Sequence, residues 1–220
     1  MSPLRQTFLV IESAIRGGSL ALFKNGREIC SRAGNNDISR SEDLLPNINE
    51  IFGEAGIATS ELDEIYISRG PGSFTGLRIG IATAMGLCEA LDIPLKGVSL
   101  FESMLANVAS IGLCIATVPI GRNDVAWQVA ERNDRGLSLT REPRSSPAGL
   151  LVHDLKAMQA TTVVSHSSVV PLLKFEQTDI SRVFDLGINM ASVIGNAVLY
   201  QNLRPSGLDP LYISASTFRQ

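Results

Sequence analysis

The residues whose types and spacing most directly suggest chemistry lie in one segment, Arg69-Gly70-Pro71-Gly72-Ser73-Phe74-Thr75-Gly76-Leu77-Arg78-Ile79-Gly80. It follows a short apolar run, Glu64 to Ser68, and leads into a small-residue helical pattern, Ile81 to Leu87. A strand that breaks on Gly-Pro-Gly and restarts as a helix aims free backbone N–H groups, the positive end of the helix dipole, at one point. Such a point attracts an anion, and Arg69 and Arg78 on either side could add charge to it. The alternative is a turn that binds nothing. Gly70 and Gly72 then make the bend, Ser73 or Thr75 caps the helix, and the two arginines pair with Glu61 or Glu64. Neither phosphate fingerprint fits. A P-loop needs Gly-Lys-Ser/Thr, and no lysine lies between Lys24 and Lys96. The dinucleotide motif needs its third glycine where Thr75 stands, and Gly76 comes one later.

Other catalytic patterns fail by inspection. The two histidines, His153 and His166, form no His-Glu-x-x-His pair, so no metal site is expected. Ser73 has Pro71 and Thr75 where a nucleophile elbow has glycines. Cys30, Cys88 and Cys114 are odd in number, far apart and set among apolar or small neighbours; they read as core residues of a reducing compartment. No catalytic residue is assigned.

These groups need elements to position them. Thr7 to Ile11, Ser19 to Phe23 and Glu28 to Ala33 read as three strands, the last two joined by Asn25-Gly26, a type I′ hairpin signal. Ser41 to Ala55 places Leu44, Leu45, Ile48, Ile51 and Phe52 at helical spacing, with Pro46 tolerated near its start. A second helix is expected over 76–91, where Gly76, Gly80, Ala82, Ala84 and Gly86 would let another helix approach closely. A strand over 95–98, a helix over 99–110 and a boundary at Ser110-Ile111-Gly112 follow. Beyond it come strands over 113–118, 125–130 and 137–141, a loop over Glu142 to Pro147, a helix over 150–158, a strand over 161–165 and a last helix from Met190 to about Asn202.

With 220 residues, 45% of them hydrophobic, the chain can bury a sizeable core as one large domain or two lobes. A net charge of −3 argues against tight direct contact with nucleic-acid phosphates. The N-terminus lacks the apolar core of a signal peptide, and no apolar run is expected to approach the roughly 18 residues of a membrane span, which places the chain in the cytoplasm.

The glycine segment, with Phe8-Leu9-Val10-Ile11-Glu12-Ser13, Ser41-Glu42-Asp43-Leu44-Leu45-Pro46, Gly97-Val98-Ser99-Leu100 and Pro210-Leu211-Tyr212-Ile213, closely resembles the TsaB (YeaZ-type) family. Its members are bacterial proteins needed to make N6-threonylcarbamoyladenosine on tRNA, often described as glycoprotease-like or M22 peptidase homologues. The resemblance is specific over the first lobe and thin beyond it. It implies an α/β fold of the actin-like, RNase H-like (ASKHA) kind, two-lobed with mixed sheets. Residues 1–110 would form the lobe with the signature and 111–220 a smaller lobe whose final segment could pack back on the first. It further implies a chain without catalysis or a cofactor of its own, the partner of a catalytic homologue, TsaD, and of an ATPase, TsaE, reaching tRNA only indirectly. A homodimer, and ATP or ADP at a subunit interface, stay open. The helices of residues 41–55 and 76–91 resemble a subunit-pairing surface, which gives Leu44, Leu45, Ile48, Ile51, Ile81 and Met85 as interface candidates. Arg69, Gly70, Gly72, Ser73, Thr75, Gly76 and Arg78 are the partner- or anion-binding candidates.

Three positions depart from the family pattern. Glu12 stands where relatives carry Asp at the end of the first strand, Arg40 where they often carry His, and Ile120 where they carry the Asp of an Asp-Ala-Arg step, leaving Arg122 in place. Glu12 sets a carboxylate one methylene further out than an octahedral Mg²⁺ site readily accepts, and could instead bond a loop. An independent actin-like ATPase or kinase is the rival reading; it needs a second acidic group that no later strand offers. The catalytic relatives bind metal through paired histidines in the first lobe, and no histidine precedes His153, which argues against a peptidase.

Overall fold

The computed structural model describes residues 6–35, 40–173, 182–201, 203 and 205–213. The chain opens with β1 (Thr7–Glu12), β2 (Ser19–Lys24) and β3 (Arg27–Ala33), two antiparallel hairpins in succession. Asn25 and Gly26 take φ of 53° and 75°, the twisted turn that the Asn-Gly pair predicts. The chain then crosses through α1 (Arg40–Ala55) to β4 (Glu64–Ser68) and through α2 (Phe74–Leu91) to β5 (Leu95–Val98). Both additions are parallel, as helical crossovers require, and the sheet order is β3-β2-β1-β4-β5.

Alternation divides β1 cleanly between two cores. Leu9 and Ile11 face α1 and α2, packing with Leu44, Ile48, Ile51, Phe52, Ala84 and Cys88. Phe8 and Val10 face the other way, against α3 (Leu100–Ala106) and α5 (Met190–Tyr200).

The second sheet is built from β6 (Gly112–Pro119), β7 (Asp124–Asn133), β8 (Gly136–Leu139), β9 (Arg144–Pro147), β10 (Thr162–Ser165) and β11 (Arg182–Asp185), in the order β11-β10-β6-β7-β8 with β9 also on β7. One of its faces packs on α4 (Ala148–Ala157). The other joins α3, α5 and the first sheet in a single core that runs from Phe8 and Phe23 to Ala116 and Val164. Helix α5 docks on the first sheet through Gly195, where any Cβ would overlap the Phe23 ring, and Ser19 Oγ accepts the Ala191 N–H at 2.9 Å. After α5 the chain returns to the first sheet. Ser206 donates to the Gly97 carbonyl at 2.8 Å, bridging the β5 edge, and Leu211 donates to the Arg69 carbonyl at 2.8 Å.

Several expectations are corrected. The stretch expected to be a loop carries β9, because Arg144 to Pro147 pair with Trp127 to Asp124. Helix α3 stops at Ala106, where Asn107 Nδ2 donates to the Ser103 and Val193 carbonyls and ends the run. Strand β11 had no expectation, and Asn202 lies outside the described residues. Helix α2 begins at Phe74 and is 18 residues long and apolar enough to cross a membrane, contrary to the expectation that no run comes near that length. Its Leu77, Ala84 and Cys88 are buried within the chain.

Candidate functional site: the glycine turn and its helix face

The turn between β4 and α2 is occupied by the chain's own backbone. Ser73 N–H donates to the Ala14 carbonyl at 2.6 Å, and Ser73 Oγ, as the helix N-cap, accepts the Gly76 N–H at 3.2 Å. A Cβ on Gly72 would strike the Ala14 carbonyl, one on Gly76 the Ser13 carbonyl, and one on Gly80 the Ser13 Oγ. The glycine spacing thus lets the β1–β2 turn lie directly on the start of α2. Two of the N–H groups suggested for an anion are engaged internally. Gly70, with φ of 89°, makes the bend itself, and its carbonyl accepts the Leu100 N–H at 3.0 Å. Thr75 is exposed.

Glu12 sits at the base of that turn, 1% exposed. Its Oε1 accepts the N–H groups of Ala14 at 2.6 Å and Ile15 at 3.0 Å, so the carboxylate bonds a loop. A carboxylate committed to two backbone donors is poorly placed to receive a metal-bound phosphate.

Neither arginine pairs with the expected acids. Glu61 pairs with Lys24 at 2.7 Å, and the buried Glu64 takes Lys96 and the Tyr66 hydroxyl. Burial first, then Glu64, raises the Tyr66 phenol above its usual range. Arg69 Nη1 instead donates to the Asp209 carbonyl at 2.9 Å. The Arg78 guanidinium lies over the Phe74 ring, 3.9 Å from its centroid.

The interface candidates split by depth. Leu44, Ile48 and Ile51 are buried on the first sheet, which corrects their assignment to a contact surface: helical spacing put them on the core stripe. Ile81 is half-buried against the same core. Leu45 and Met85 are 53% and 52% exposed on adjacent helices. Phe74, 50% exposed, and Tyr212, 47% exposed, join them at the start of α2, their rings 4.9 Å apart. Sequence reasoning assigned neither aromatic a role. The available signal was a Phe in the first turn of a helix whose inward positions are glycines.

In the second lobe His166 is buried, and its Nδ1 accepts the Ser168 N–H at 3.1 Å and lies 2.8 Å from Ser168 Oγ. Asp185 bonds Ser167 Oγ and the Gly187 N–H rather than the ring. Without a carboxylate orienting the imidazole, this is a turn lock and not a nucleophile pair. Burial raises all three thiols, most simply at Cys88, so none is activated. His153 is exposed, and no three metal-ligating side chains cluster among the described residues.

Residues 37–133 match the family model described as TsaD: tRNA N6-adenosine threonylcarbamoyltransferase. The chain is 27% identical over 154 residues to the tRNA threonylcarbamoyladenosine biosynthesis protein TsaB of Escherichia coli, covering 66% of this chain and 64% of that protein. It is 31% identical over 101 residues to the Bacillus subtilis protein of the same name, covering 46% and 44%. YeaZ from Pseudomonas aeruginosa superposes with a TM-score of 0.64 at 22% identity, over 96% of this chain and all of that one. The chain is similar to TsaB (YeaZ) proteins in sequence and in fold. Its fold is the actin-like, two-lobed α/β arrangement. Four of the five segments quoted for the resemblance meet in space: Ser13 lies on the start of α2 at Gly76 and Gly80, Leu100 N–H donates to the Gly70 carbonyl, and Leu211 N–H donates to the Arg69 carbonyl. The sequence matches span less than two thirds of either TsaB relative's length.

Proposed function

We propose that this chain is a non-catalytic subunit in the formation of N6-threonylcarbamoyladenosine on tRNA, docking through the exposed faces of α1 and α2 on a TsaD-type catalytic homologue. The observation that carries the reading is the pair of adjacent helices presenting Leu45, Phe74 and Met85 to solvent in a chain similar to TsaB proteins. Large apolar side chains held outward on neighbouring helices are the usual core of a subunit contact. The committed carboxylate of Glu12 supports a supporting role over nucleotide hydrolysis. On this reading the chain works in the bacterial cytoplasm, a TsaE-type ATPase is a further partner, any ATP or ADP binds at a subunit boundary, and two copies pair through the same face when the homologue is absent.

The test is to mix the purified chain with the TsaD-type homologue of the same organism and measure mass by light scattering. A heteromer that Leu45→Asp and Met85→Asp each weaken by roughly tenfold or more, without lowering Tm, is the expected result. Absence of a heteromer, or intact tRNA modification after deletion of the gene, would overturn the reading.

A further inference from the structure

Between the two lobes and the α2 surface runs a strap, residues 205–213, that the fold fixes at both ends. At one end Ser206 bonds Gly97 on the β5 edge, and Gly97 has room for no side chain: a Cβ would overlap the Gly207 carbonyl and lie 2.8 Å from Arg69 Cδ. In the middle, Arg69 grips it twice and is itself anchored to β5. Its Nη1 holds the Asp209 carbonyl, its own carbonyl holds the Leu211 N–H, and its N–H is tied to Val98 at 2.8 Å. Leu208 packs into the core under α1 and α2, Leu211 and Ile213 into the core between the lobes. Tyr212 alone is turned out among these, against Phe74.

That expense of contacts places one half-exposed tyrosine beside one half-exposed phenylalanine, whose other neighbour is a guanidinium. Among the described residues Arg78 makes no ion pair; its only partner is the Phe74 ring. A guanidinium stacked on an aromatic ring has its orientation set and its N–H edge free, the arrangement that takes a carboxylate in a bidentate contact.

Resting on the partner-subunit reading, we propose that the strap is part of the docking surface: Arg69 fixes it so that Tyr212, Phe74 and Arg78 form one anchor for an acidic side chain on the TsaD-type homologue. Arg69 is a positioning residue, since it touches the strap and not the partner. The aromatic pair supplies rigid contact area, and Arg78 selects charge.

The experiment is titration calorimetry of the full chain against the homologue at two salt concentrations. Tyr212→Ala is expected to weaken binding by roughly tenfold and Tyr212→Phe to restore most of it. Arg69→Ala should weaken it comparably, and the double variant by no more than the worse single one, because both act through the same side chain. Added salt should weaken the parent more than Arg78→Ala. Tyr212→Ala binding as the parent does, while Leu45→Asp fails, leaves the partner reading standing and overturns this one alone. Additive losses, or lost self-association with the heteromer unchanged, also overturn it. A parent chain that does not bind the homologue overturns both.

Discussion

Glu12 is a carboxylate almost wholly removed from water, and two backbone N–H groups of the following turn compensate part of that cost. Glu12→Ala would leave both donors buried, an expected loss of about 3 kcal/mol. In a chain of this size that lowers Tm by roughly 10 °C. Asp at this position still reaches the N–H two residues on, as Asx turns do, so Glu12→Asp should lose less; an unchanged Tm for the alanine variant would contradict the role assigned here. His166 offers a second test. Its neutral ring accepts the Ser168 N–H, which a protonated ring cannot do. Burial lowers its pKa from the usual 6.5, against the opposing pull of the Ile188 backbone and Asp185. As pH falls the unfolded chain therefore takes up the proton first. Stability is complete above about pH 6.5 and declines below it through the lowered folded value. Thermal melts from about pH 7.5 to about pH 5 should show this decline, and His166→Asn should flatten it.

At the scale of elements, α2 carries two kinds of glycine. Gly80 has no room for a methyl group against Ser13, whereas around Gly86 nothing lies within 4 Å. Gly80→Ala should lose about 2 kcal/mol through overpacking. Gly86→Ala should gain up to about 1 kcal/mol as an exposed helical position while weakening association with the homologue. Melting curves and binding of both variants check the pair. The hairpin at Asn25-Gly26 and the apolar stripe of α1 were legible because turn chemistry and helical spacing are local. What the glycine turn holds was not, since the Ala14 and Ser13 carbonyls arrive from another element. Strand β9 was hidden for the same reason: Pro143, Ser145, Ser146 and Pro147 have a loop's composition, and only the ladder to β7 makes them a strand. Leu44, Ile48 and Ile51 sat with Leu45 in one candidate surface because an amphipathic pattern does not say which of its faces meets a partner.

Across the whole molecule one core joins both sheets, with Phe8 and Phe23 stacked 4.8 Å apart beneath α5. Such a shared core should unfold as a unit. The single tryptophan, Trp127, reports on the second sheet alone, so its fluorescence and far-ultraviolet circular dichroism should give coincident urea transitions. Gly195→Ala, which drives a methyl group into Phe23, should move both midpoints together. Two separated transitions would refute the shared core. Family segments near both ends of the chain made the fold class legible, whereas the junction of the lobes depends on residues as distant as Ser19 and Ala191.

The strap has a consequence for synthesis. The β5 edge is covered by Ser206, and Phe8 and Phe23 await Met190 to Leu199. The lobe translated first therefore cannot be finished until residues 190–206 have left the ribosome. A chain arrested before α5 carries an open sheet edge and an uncovered apolar face, the features that recruit chaperones or seed aggregation. In this molecule the order of translation and the order of completion run opposite ways.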